Sequence, residues 1–224
     1  MSDRSYLEHF DGPYADFWRE QARLYGHDQG HQRLIDLVAG LVPPGGLLLD
    51  CGMGNGFPFT FAWSRGLRVA GCDLSGKALG MARGELSGGA GSRLASGDLS
   101  ALPFRDGAAS TVVCARAIHY VPDFYSALSE LWRVTASGGC LVLDCFNRAH
   151  PSRRRSLARL AFQFPWRLFR PAAGQQHSIR VPTVLAWLNS RGASTTLYDD
   201  QGLPMRDPEP WAQHPTVWIA SRKS

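Results

Sequence analysis

Leu47-Leu48-Leu49-Asp50-Cys51-Gly52-Met53-Gly54-Asn55-Gly56 is the stretch that decides the fold. It reads as a buried strand that ends in an acid and passes into a turn with glycine at alternate positions. The three glycines take away the side chains that would hold a ligand off the backbone. A second strand, expected over 67–72, also ends in an acid, Asp73. A strand, a glycine-rich turn and an acid at the tip of the next strand make a nucleoside-binding half-site.

Two common nucleotide signatures do not fit. Gly-x-Gly-x-x-Gly fails at its last position, where Phe57 stands, and no Gly-Lys-Ser/Thr follows for a P-loop. The Asp-x-Gly-x-Gly-x-Gly run from Asp50 to Gly56 instead resembles the first motif of class I S-adenosylmethionine-dependent methyltransferases. Four later stretches resemble the family's succeeding segments, in order. They are Val69-Ala70-Gly71-Cys72-Asp73-Leu74-Ser75, Ala95 to Phe104 (with Asp98-Leu99), Ala115 to Asp123, and Leu128 to Val134 followed by Ser137 to Leu143. The resemblance covers roughly residues 30–147.

That resemblance implies a Rossmann-like α/β fold. Its seven-stranded sheet is mostly parallel, with helices on both faces and an antiparallel C-terminal strand. The implied cofactor is S-adenosylmethionine, with S-adenosylhomocysteine as product. Asp73 would accept hydrogen bonds from both ribose hydroxyls. Gly52 and Gly54 would let the methionine part lie against backbone, Gly56 is a cofactor-binding candidate in the same turn, and Asp50 would orient the amino group. Leu74 would pack on one adenine face, and Asp98 would accept from the adenine amine beside the Leu99 backbone. Alternatives stand beside these roles: Asp73 as a turn acid capping the next helix at Ser75, and Asp98 as a plain loop acid. Arg116 is a further cofactor-side candidate that would equally bind a substrate anion or cap a helix. His119, four residues past the expected end of the fourth strand at 115, is the best candidate base, since histidine titrates near neutral pH. Packing is its alternative role, and Tyr120, His27 and His31 are weaker candidates. No metal site is read. Two departures from the family pattern stand out: Asp106-Gly107-Ala108-Ala109-Ser110 lacks the usual Phe and second acid, and Met53 replaces a small or polar residue.

Outside the motifs, the chain reads as one domain, 1–224. Residues 1–28 are rich in aromatics and form either a lid, with Tyr14 and Trp18 over the cofactor, or a packed helix. The core spans 30–147, opening with a helix over 30–41 whose face carries Leu34, Leu37, Val38 and Leu41. Further strands are expected at 47–51, 93–96, 111–115 and 140–146, and helices at 57–65, 75–86 and 123–134. A basic and aromatic insert, 148–177, is either a substrate-side lid for an anionic or lipid-like molecule or a solvated helix. The last part, 178–224, holds a helix at 182–191 and strands at 194–198 and 216–220.

Composition sets the remaining bounds. In 224 residues, 44% hydrophobic and 19% charged content is ordinary for a soluble globular protein. No apolar run approaches the ~20 residues that span a bilayer, and the polar start is unlike a signal peptide, so a cytoplasmic location is expected. Cys51, Cys72, Cys114, Cys140 and Cys145 all fall in or beside expected strands and read as small buried hydrophobes in a reducing compartment. The net charge of +5 is weak for a phosphate-reading surface, and the Asn/Asp-Pro-Pro-Tyr motif of base-modifying enzymes is absent, so nucleic acid is not the expected partner. The expected activity is methyl transfer to O, N or C of a small molecule, with anionic, lipid-like and carrier-bound classes open. The alternative is a methyltransferase-fold protein that binds the cofactor for other chemistry or serves as a regulatory partner. Oligomeric state is not legible.

Overall fold

A computed structural model describes residues 29–54, 56, 66–85, 93–146, 179–205, 214 and 216–224. The elements are α1 (Gln29–Gly40), β1 (Leu47–Cys51), β2 (Arg68–Asp73), α2 (Gly76–Glu85), β3 (Leu94–Ser96), β4 (Ala109–Cys114), a 3-10 turn (Ile118–Tyr120), α3 (Phe124–Val134), β5 (Thr135–Phe146), α4 (Val181–Asn189), β6 (Ser194–Tyr198) and β7 (Thr216–Arg222). The expected helix at 57–65, the 1–28 segment with Tyr14, Trp18 and His27, and the 148–177 insert lie outside the described residues.

The strands form one seven-stranded sheet in the order β3-β2-β1-β4-β5-β7-β6. β1, β2, β3, β4 and β5 pair in parallel, whereas β7 runs antiparallel to both β5 and β6. This is the expected architecture. Alternation along each strand sends successive side chains to opposite faces. Leu49, Cys51, Val112, Cys114, Leu141, Leu143, Val217 and Ile219 pack with Leu128 and Leu131 of α3 and with Val184 and Leu188 of α4. Leu48, Val69, Val113, Val142 and Trp218 pack on the other face with Val38 of α1 and with Leu79 and Ala82 of α2. Both faces are therefore covered, which is why β1, β4 and β5 read as continuous apolar runs rather than alternating ones.

The five cysteines are buried and unpaired, as expected. On α1, Ile35 joins Val38 as a buried position while Leu34 and Leu37 are half-buried, a shift of the expected face by one position. α3 opens at Asp123, whose carboxylate accepts from Ser126 N at 3.1 Å and Ser126 Oγ at 2.7 Å, satisfying a helix-end donor.

Candidate cofactor site

β2 lies on one flank of β1 and β4 on the other, so the chain changes sides of the sheet at the C-terminal end of β1. Open α/β sheets bind ligands in the crevice at such a switch point. The glycine turn leaves β1 here. Its Gly52 and Met53 N–H groups both donate to Cys72 O, at 2.8 and 3.1 Å, tying the turn to the end of β2.

Gly52, Gly54 and Gly56 have φ of 77°, 56° and 81°, in the left-handed region that glycine enters without penalty. Their surroundings differ. A Cβ on Gly52 would collide with Ala117 Cβ, and one on Gly56 would lie 3.0 Å from both Ala82 Cβ and Met53 Cε. Among the described residues, a Cβ on Gly54 would meet nothing within 4 Å. Gly54 is thus the position in the turn with room above its backbone. Met53 is buried among the side chains of the α1–α2 face, so its departure from the family pattern does not fill the crevice.

Asp73 is braced by the backbone around it. Its Oδ2 accepts from Gly54 N at 2.7 Å and its Oδ1 from Ser75 N at 2.9 Å. Capping of α2 belongs to Ser75 itself, whose Oγ accepts from Ala78 N at 3.0 Å. These two bonds aim the Asp73 carboxylate at the tip of β2.

Asp50 is 2% exposed, and its Oδ2 has no hydrogen-bond partner among the described residues. Burial, and then the neighbouring Asp73 charge, push its carboxyl from 3.8 up to about 7. A cation placed alongside would favour its ionised form.

Leu99 is buried, and its Cδ1 lies 3.7 Å from the place of a Gly52 Cβ. Asp98 is exposed, with Oδ1 accepting from Ser100 N at 2.7 Å. Leu74 is half-buried at the exit of β2. Gly97 N donates to Asp73 O at 3.1 Å, which aligns the exits of β2 and β3.

A clamp from α3 holds the loop that follows. Arg133 grips Glu130 with two bonds of 2.7 Å and donates to Phe104 O at 2.8 Å, Leu102 O at 3.1 Å and Asp106 Oδ1 at 2.8 Å. Glu130 Oε2 in turn accepts from Leu102 N at 2.8 Å. The fork-shaped guanidinium suits this two-point grip, and it holds the Glu130 carboxyl below its ordinary range.

At the exit of β4, Arg116 has φ 57° and its N–H donates to Asp144 Oδ1 at 2.7 Å. His119 Nε2 lies 3.7 Å from the same oxygen, and both side chains are almost fully buried. Burial first, and then the charges of Asp144 and Asp50, raise the Cys114 thiol well above its ordinary value. The two acids therefore flank the end of β4.

The structure brings together Asp50, Gly52, Gly54, Gly56, Asp73 and Leu99, with Leu74 and Asp98 at the adjoining strand exits and Arg116 and His119 at the exit of β4. Tyr120 is buried beside them, and His31 falls on α1. Sequence reasoning missed Asp144 and the Glu130–Arg133 clamp. The signal for Asp144 was an acid inside the apolar run Cys140-Leu141-Val142-Leu143-Asp144-Cys145, a costly place for a charge without a role.

Residues 49–143 match the family model described as a methyltransferase domain. The chain is 32% identical over 135 residues to a demethylmenaquinone methyltransferase from Streptomyces avermitilis, covering 60% of this chain and 50% of that protein. It is 34% identical over 114 residues to a malonyl-[acyl-carrier protein] O-methyltransferase from Serratia marcescens, covering 50% of this chain and 42% of that one. The chain thus spans about half the length or less of these curated relatives. Its fold is similar to that of a SAM-dependent methyltransferase from Thermotoga maritima, with TM-score 0.68, 17% identity, and 97% of this chain and 100% of that one covered. No helix among the described residues is long and apolar enough to cross a membrane. Sequence motifs, sheet order and the match over residues 49–143 agree in their likeness to the class I S-adenosylmethionine-dependent methyltransferases.

Proposed function

We propose that this protein transfers a methyl group from S-adenosylmethionine to an O, N or C atom of a small molecule. The observation that carries the reading is the geometry of Asp73, whose carboxylate is fixed by Gly54 N and Ser75 N at the tip of β2, beside a glycine that leaves open space above bare backbone. The residues fit the cofactor on two counts. Gly54 leaves room, and Asp50 presents a buried carboxylate oxygen without a partner among the described residues, which suits a cationic ligand.

Bound there, S-adenosylmethionine would supply a sulfonium whose methyl is already electrophilic, leaving the protein to align the acceptor and exclude water. Asp73 would take the ribose hydroxyls. Gly52 and Gly54 would bring backbone against the methionine part, with Gly56 closing the turn, and Asp50 would face its ammonium. Leu74 and Leu99 would flank the adenine, and Asp98 would accept from its amine with the oxygen not used by Ser100. Arg116 would complete the cofactor side. His119 is the base for an acceptor that must lose a proton, and Asp144 lies where the resulting imidazolium would be stabilised.

The relatives named for demethylmenaquinone and for malonyl-[acyl-carrier protein] support a small acceptor, either free or carried on a protein. Buried, unpaired cysteines suit a reducing, cytoplasmic setting. Incubation with methyl-labelled cofactor and a panel of quinols, phenols, amines and carboxylates tests the activity. Label transferred to any class supports it. Cofactor binding without transfer to any class favours a non-methylating member of the fold.

A further inference from the structure

We infer that Asp144 is a positioning residue for the cofactor site, holding the turn after β4 in the conformation that forms one wall of the glycine cradle. The inference rests on the cofactor reading above. Among the described residues, Arg116 is the one non-glycine at positive φ. L-residues enter that region only when the surroundings hold them there. Here the holding contact is a 2.7 Å bond from Arg116 N to Asp144 Oδ1.

The next residue shows what the bend accomplishes. Ala117 Cβ stands so close to Gly52 that no side chain fits between them. The bend at Arg116 therefore sets how closely the β4 exit approaches the glycine turn. From Ala117 the chain enters the 3-10 turn through Tyr120 N bonded to Ala117 O at 3.0 Å, and that turn carries His119 to 3.7 Å from the same Asp144 oxygen. One carboxylate on β5 thus fixes both the wall of the cradle and the candidate base.

Packing does not account for an acid at this position. Asp144 is 0% exposed within an apolar strand, and its Oδ2 has no partner among the described residues. An apolar side chain would avoid that desolvation, but it would leave Arg116 N–H without an acceptor.

The test is a double-mutant cycle between Asp144→Ala and Arg116→Gly, read by S-adenosylhomocysteine titration and by urea unfolding, with Asp144→Asn as the conservative variant. Asp144→Ala should weaken binding about tenfold, the factor set by the penalty that a non-glycine residue faces at positive φ once its holding contact is gone. Asp144→Asn, which keeps an oxygen for Arg116 N–H, should stay within about threefold. Glycine needs no help at positive φ, so in the Arg116→Gly background Asp144→Ala should change binding by less than about threefold. Additive losses, or an Asp144→Asn as damaging as Asp144→Ala, would overturn the proposal. If Asp144→Ala does not fold alone, a folded double variant supports the proposal, and failure of both overturns it. An intact chain that binds no S-adenosylhomocysteine would refute the cofactor reading, and non-additive unfolding energies would then still show that Asp144 holds the turn.

Discussion

Asp50→Asn tests the electrostatics of the site without any knowledge of the substrate. The Asp50 carboxyl is raised from 3.8 to about 7, chiefly by burial and then by Asp73. In the unfolded chain it ionises near its ordinary value. Between these two values the folded state binds the extra proton, so stability is fully present below about pH 4 and is lost as pH rises through about 7. Three units at ~1.36 kcal/mol each make the ionised carboxylate cost about 4 kcal/mol above pH 7. About 1.5 kcal/mol of that is already incurred by pH 5, so some 2–3 kcal/mol accrues between pH 5 and pH 8. The asparagine amide does not titrate. Urea unfolding of both proteins, without cofactor, should therefore show the stability difference moving toward the variant by roughly that amount as pH rises from ~5 to ~8. Saturating S-adenosylmethionine should flatten the profile of the intact protein, because a nearby cation lowers the carboxyl again. Parallel profiles for the two proteins would refute the reasoning.

Three further outcomes follow from the geometry. Gly52→Ala should lose folding stability by roughly 2–4 kcal/mol from overpacking against Ala117 plus a left-handed alanine, whereas Gly54→Ala should lose only about 1–2 kcal/mol but weaken cofactor binding; thermal unfolding beside titration separates them. Arg133→Ala frees the carbonyls of Leu102 and Phe104, and it should cost about 1–2 kcal/mol, discounted for its partial exposure, with faster amide exchange across 98–106. His119→Gln should leave cofactor affinity within about threefold yet lower turnover by about 100-fold or more on an acceptor that must lose a proton; unchanged turnover would assign the imidazole to packing.

Much of the sheet is legible along the chain, and the reason differs from strand to strand. β1 at Leu47–Cys51 and β6 at Ser194–Tyr198 match their expected spans because turn residues bound them closely. β5 begins at Thr135 rather than 140, and β4 at Ala109 rather than 111, because the Ala109–Thr135 pair joins the ladder across a register break. Neither residue carries an apolar signal; the pairing itself makes them strand. α4 stops at Asn189 rather than 191, with Ser190 N bonded back to Ala186 O in the last turn. The acids at strand tips were legible because Asp50 and Asp73 follow apolar runs directly into glycine or a turn. Asp144 was not, since its partners Arg116 and His119 lie more than two dozen residues earlier and meet it only across the sheet. The clamp on the Leu102–Phe104 loop has the same origin: Glu130 and Arg133 are neighbours on a helix, but the carbonyls they serve come from another part of the chain.

The most direct test of the central claim is calorimetric titration of the folded intact chain and of Asp73→Ala with S-adenosylmethionine and S-adenosylhomocysteine. The account predicts binding of both by the intact chain and a loss of about 100-fold in the variant, in line with removing two charge-assisted hydrogen bonds. Failure of the folded intact chain to bind either, or equal binding by the variant, would contradict it.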